Sequence, residues 1–75
     1  MAMEKIIFVK LLNEGTEVYR PVPAELIKAG IYKLKGDDIY NPEDEQWEFS
    51  PGTQVVVTEK FLSNGIELVA VRKLQ

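Results

Sequence analysis

The chain has no cysteine and no histidine among its 75 residues. Without thiols it can hold neither a disulfide nor a thiolate-bound metal, and without imidazole it lacks the side chain most often used for proton transfer near neutral pH. No run of about 18 apolar residues occurs, so no stretch reads as a membrane-spanning helix. The start, Met1-Ala2-Met3-Glu4-Lys5, has no basic segment leading into the apolar stretch of a secretory signal. A soluble cytoplasmic protein with no membrane partner is the expectation. An excess of positive charge is missing as well: twelve acidic residues against nine basic ones leave a net charge of −3, which opposes nonspecific attachment to nucleic acid or anionic lipid. There are no internal repeats, linkers or low-complexity runs.

What is present is enough apolar material, 45% of the residues, for one packed domain spanning residues 1–75. A chain of this size buries only about 60% of the surface its unfolded form exposes, and its stability should be on the order of 4 to 11 kcal/mol. The most informative stretch is Trp47-Glu48-Phe49-Ser50-Pro51-Gly52. Side chains two apart in a strand share a face, so Trp47 and Phe49 are expected to point the same way. Pro51-Gly52 then supplies the two central residues of a type II turn over Ser50 to Thr53.

Glu4 to Leu12 is rich in β-branched residues and too short to favour a helix. It predicts a strand with Ile7, Val9 and Leu11 on one face and Ile6, Phe8, Lys10 and Leu12 on the other. Asn13-Glu14-Gly15 predicts a three-residue hairpin loop with glycine in the left-handed position. Thr16 to Val22 is the returning strand, in which Pro21 requires an edge or a bulge because it cannot donate to a ladder. Pro23 to Ala29, closed by Gly30, carries proline at the start, an acid in the first turn and a base in the last, the order of a one- or two-turn helix. Ile31 to Lys35 predicts a short half-exposed strand with Tyr32 and Leu34 on one side. Asn41-Pro42-Glu43-Asp44-Glu45 predicts a capped turn. Thr53 to Leu62 and Ile66 to Leu74 are two further strands joined by Ser63-Asn64-Gly65, and Asn-Gly between apolar runs is a strong hairpin signal. Five strands with minor helical turns make the fold all-β: a small, strongly curved barrel of the Src-homology-3 type. The alternative is a barrel of the oligonucleotide- and oligosaccharide-binding type, whose usual helix would fall in the wrong gap.

Three constellations bear on chemistry. Glu43, Asp44, Glu45 and Glu48, with Asp37 and Asp38, suggest a divalent metal, but the spacing matches no calcium loop and the acids are explained as charges at the start of a turn; no metal and no cofactor is expected. Tyr19, Arg20, Tyr32, Lys33, Lys35 and Tyr40 have the residue types that stack on bases and track phosphates, yet a core of this size needs its aromatics anyway and the net charge is unfavourable to nucleic acid. Arg20, between Tyr19 and Pro21, is placed to fork onto a carboxylate, either a ligand's or that of Glu45 or Glu48. No nucleophile has a base beside it and no phosphate loop occurs, so no catalytic residue is assigned and the protein is not expected to be an enzyme.

Glu14-Gly15-Thr16-Glu17-Val18-Tyr19-Arg20-Pro21-Val22, then Gly30-Ile31-Tyr32, then Glu43 to Gly52, resembles a group of short bacterial proteins of uncharacterised function with an EGTxVxRPV motif followed by residues of the DEExWEFxPG type. Tyr19 stands where tryptophan is expected in that pattern and Ser50 where proline is common. The resemblance covers most of the chain, implies a bacterial origin and a self-contained domain, and carries no site. The functional expectation is therefore a non-catalytic module that binds another protein or a peptide, with Tyr19, Arg20, Trp47 and Phe49 as candidate contact residues; an RNA- or single-strand-binding barrel using the same surface is the alternative.

Overall fold

The computed structural model describes residues 3–74, so Met1 and Ala2, and with them part of the reading made of the chain's start, lie outside it. Six strands form one sheet: β1 (Glu4–Leu12), β2 (Tyr19–Lys28), β3 (Ile31–Leu34), β4 (Gln46–Trp47), β5 (Gln54–Leu62) and β6 (Gly65–Lys73). Their order is β2-β3-β5-β6-β1-β4, and β1 also pairs with β2, which closes five of them into a barrel-like ring with β4 attached to β1. The ring runs in chain order, a meander, and not in the Greek-key order of the oligonucleotide-binding alternative. Strands that alternate direction around a ring of five cannot all be antiparallel. The closing contact, Phe8 opposite Val69, is accordingly parallel.

Alternation fills the ring. Ile7, Val9 and Leu11 of β1 are buried, as their spacing predicts, and meet Val22, Ala24, Leu34, Val55, Ala70 and Trp47 in the core. Ile31 is buried beside Tyr32 and Leu34, so β3 is more enclosed than the half-exposed strand expected of it.

Pro23 to Ala29 is not a helical turn: Pro23 to Lys28 is the second half of β2, and Ala29 begins the turn into β3. One turn of helix leaves most of its backbone groups unpaired, whereas here Ala24, Glu25 and Leu26 are flanked by β3 on one side and Ala24 and Glu25 by β1 on the other, with the Leu26 N–H donating to the Met3 carbonyl. Gly30, with φ +78°, serves the turn into β3 with the same positive φ that would have ended a helix. The prolines do occupy a free edge. The β3 ladder begins only at Ala24, and the Pro23 carbonyl accepts from the Lys35 N–H at 2.9 Å, so the missing donor of Pro23 faces the side where no strand has yet started.

The first loop also departs from expectation. It is Asn13, at φ 64°, and not Gly15 that takes the left-handed conformation, and the strand resumes at Tyr19 rather than Thr16. Asparagine tolerates that conformation better than most residues, and its side chain here donates to Gln46 Oε1 at 2.8 Å. The β5–β6 hairpin turns on Ser63 and Asn64, with Leu62 opposite Gly65.

The segment between β3 and β5 covers one end of the ring. Asn41 caps a single turn, accepting the Glu43 N–H on its side chain at 3.0 Å and the Asp44 and Glu45 N–H groups on its carbonyl. The expected corner is present: the Thr53 N–H donates to the Ser50 carbonyl at 3.2 Å and Gly52 sits at φ +90°. Gly36 has φ +93°, and a β-carbon there would stand 3.4 Å from each of Val22, Ile39 and Trp47, so glycine lets the covering segment lie directly on the core. Among the described residues no helix is long and apolar enough to cross a membrane.

Candidate functional site

Arg20 belongs to the same inward-facing row of β2 as Val22 and Ala24, both fully buried, but one step nearer the open end. Its guanidinium therefore emerges at the mouth of the ring. There it meets Glu45, carried in by the capped turn, through a forked pair: Nε to Oε1 at 2.7 Å and Nη2 to Oε2 at 2.9 Å. Trp47, from β4, donates its indole N–H to the same Oε1 at 3.0 Å. The bond from Arg20, then the one from Trp47, hold the Glu45 carboxyl below its ordinary range, and Arg20 is correspondingly raised. Of the two internal carboxylates considered for Arg20, Glu45 is the one used. Trp47 is 3% exposed and stacks at a tilt of 48° on Tyr40, with ring centres 4.6 Å apart. Phe49 is half-buried against the same core. The space between Arg20 and Trp47 is thus occupied by Glu45.

Tyr19 faces the other way. It points outward beside Phe8, and together with Val18 these side chains form one wall of a cleft of about 440 Å³ whose opposite wall is Lys60, Phe61 and Leu62 of β5. The walls are tied by a polar chain: Lys60 Nζ donates to the Tyr19 hydroxyl at 3.0 Å, and that hydroxyl donates to Glu17 Oε1 at 3.2 Å. The bond to Tyr19, ahead of the charge on Glu17, raises the Lys60 ammonium above its ordinary range. The ammonium lies 5.6 Å from the ring centre, at the hydroxyl end, so the contact is a hydrogen bond more than a cation over a π face.

The cleft exists because β5 is much longer than β3. Only Gln54, Val55 and Val56 of β5 pair with β3, so the hairpin beyond Val57 overhangs the ring. On it Phe61 is 79% exposed and its cross-strand neighbour Ile66 is 64% exposed. Of the four residues proposed from sequence, the cleft contains Tyr19. Lys60, Phe61 and Leu62 were not proposed, although the signal was there: a four- or five-residue strand cannot cover a nine- or ten-residue neighbour. Among the described residues no three acidic side chains are grouped so as to hold a metal ion, and Asp44 instead accepts from Asn41 at 3.2 Å.

Compared with models of known families, with curated protein sequences and with solved structures, the chain matches none. What the site does must be argued from its own geometry.

Proposed function

We propose that this protein is a non-catalytic binding module that holds a peptide segment of another protein in the cleft between the β5–β6 overhang and Tyr19. One observation carries the reading: Phe61 is 79% exposed at the rim of a cleft whose walls mix apolar and polar side chains. Scattered apolar residues on a surface are ordinary, but a large aromatic at the edge of a cleft that also holds Phe8, Val18 and Leu62, on the face of β5 opposite to Lys60, is the kind of anchor on which interfaces concentrate their energy. The resemblance carried by Glu14 to Val22 and Glu43 to Gly52 supports, on the same reading, a bacterial origin, and the compartment proposed for the module is the cytoplasm. Its Arg20–Glu45–Trp47 cluster then has a structural duty, covering one end of the ring, while Tyr19 is the contact residue.

The competing occupant is single-stranded nucleic acid stacked on Tyr19 and Phe61. Glu17 and Glu67 line the same cleft, and with the net charge of −3 they oppose a phosphate backbone. Selection of displayed random heptapeptides on the intact protein, followed by titration of an enriched peptide into isotopically labelled protein, tests the proposal. Amide shifts at Val18, Tyr19 and Phe61, lost in Phe61→Ala, support it. No enrichment above a blank surface, or salt-sensitive binding of a mixed oligonucleotide in place of peptide, overturns it.

A further inference from the structure

Among the described residues the outer edge of β5 has no strand beside it beyond Val57, since β3 pairs only as far as Val56. Which groups that edge presents follows from two observations. The Val57 N–H donates to the Gly30 carbonyl at 3.0 Å, so Val57 turns its backbone toward the β3 side, and a strand alternates in this respect every residue. The two-residue loop requires Leu62 and Gly65, which are directly opposite, to bond to each other, and the same alternation again turns Phe61 and Glu59 outward. Both routes leave the N–H and C=O of Glu59 and of Phe61 facing outward with no strand beside them.

We infer that the peptide is bound by strand addition: an extended segment lies antiparallel along the free edge of β5, bonded to the backbone of Glu59 and Phe61, with an apolar residue opposite Phe61 and a lysine or arginine two residues later opposite Glu59. This rests on the reading of the cleft as a peptide site and specifies how the peptide is held. Residues directly opposite in a ladder share a face, so an apolar residue beside Phe61 extends the row that Phe61 makes with Ile66 and covers side chains now in water. Glu59 is opposite Leu68 and makes no ion pair among the described residues, so a cation beside it meets an unopposed carboxylate. Lys60, between them on the other face, is already engaged by Tyr19 and Glu17. Unpaired backbone groups supply affinity without regard to sequence, and the alternating side chains supply the choice.

A second copy of the chain is a poorer occupant. Two antiparallel copies of β5 related by a two-fold axis put one residue opposite itself, and the registers of greatest overlap centre on Glu59 or Lys60, like charge against like. The pocket beside Ile6 and Ile66 presents Glu59 and Glu67 along with Lys5, and its Glu4 is already paired with Lys35.

The test uses the heptapeptides enriched on the intact protein. They should share an apolar residue followed two positions later by lysine or arginine, and saturation with one of them should slow hydrogen exchange at the Glu59 and Phe61 amides at least tenfold. Methylating the peptide nitrogens that face β5 should abolish binding, and methylating the alternate ones should leave it. Selection repeated on Glu59→Lys should exchange the basic residue for an acidic one and weaken the original peptides several-fold. Peptides that shift Tyr19 and Val18 but protect neither Glu59 nor Phe61 overturn strand addition while leaving the cleft as the peptide site; failure to enrich any peptide removes both. Protection of the same amides in the free protein, with a doubled mass in sedimentation, means that the edge is filled by a second copy and the inference fails.

Discussion

The indole nitrogen of Trp47 and the guanidinium of Arg20 are joined through a single oxygen of Glu45, 3.0 Å from the first and 2.7 Å from the second. Arg20 is 45% and Glu45 18% exposed, so this is a half-wet lid and not a buried ion pair, and its value lies in what it seals. Glu45→Ala leaves the buried indole N–H without an acceptor and should cost about 1 to 3 kcal/mol by urea denaturation. Glu45→Gln keeps an oxygen for the indole and should cost about 1 kcal/mol or less.

Glu45 also sets part of the response to acid. Bonds to Arg20 and Trp47 favour its charged form and hold the carboxyl below the ordinary 4.5. A group whose pKa is lower in the folded than in the unfolded protein stabilises the fold above the unfolded value and loses that contribution as the pH falls through the folded one. The contribution of Glu45 is therefore complete above about pH 5 and disappears on acidification from there downward. Urea midpoints measured between about pH 6 and pH 3 should fall less steeply for Glu45→Gln than for the wild type.

The lone tryptophan reports directly on the closed end of the ring. With 3% exposure its emission should be blue-shifted and weakly quenched by acrylamide. Trp47→Ala should cost about 3 to 5 kcal/mol, a large share of the roughly 4 to 11 kcal/mol available to a chain this long.

Gly36→Ala should destabilise by about 1 to 3 kcal/mol, because alanine is strained at φ +93° and its methyl presses on Val22, Ile39 and Trp47 at once. A lowered urea midpoint with an unchanged m-value is the expected result. A neutral outcome would show that the covering segment is free to lift.

Phe61→Ala should leave stability within about 0.5 kcal/mol of wild type, since the ring contributes little to any packed surface, while abolishing peptide binding. That separation of stability from binding distinguishes a contact residue from a core one, and Trp47 gives the opposite pattern.

What the sequence made legible follows from which physical signals are local. Alternation in Glu4 to Leu12, the Pro51-Gly52 corner and the β5–β6 hairpin are decided within a few residues; the first two are found where they are expected, and the hairpin is found with its turn on Ser63-Asn64 and Gly65 already in β6. Pro23 to Gly30 was misread because a helix start and the free half of a strand both accept proline, and a helix end and a tight turn both use glycine; only the pairing with β1 and β3 decides between them. The position of Arg20 points to a carboxylate but leaves a ligand's, that of Glu45 and that of Glu48 open, and it is the capped turn at Asn41 that delivers Glu45. The overhang carrying Phe61 was missed because it is a property of two strands compared, β3 against β5, and neither shows it alone.

The closing contact between Phe8 and Val69 has a dynamic consequence. β1 is joined to β2 by seven registered pairs but to β6 by one, and Phe8 and Val69 are the most distant partners along the chain in the ring. Every other junction in the ring is a hairpin except β3–β5, whose connection carries β4 across to β1, so the molecule has a seam, and parting there leaves the other ring junctions paired. Loop closure over nearly the whole chain makes that seam the costliest contact to form, and so the natural last step of assembly and first step of disassembly. The overhanging end of β6 runs into this seam, so the hairpin that carries Phe61 is fastened to the rest of the ring at the place where the ring comes undone.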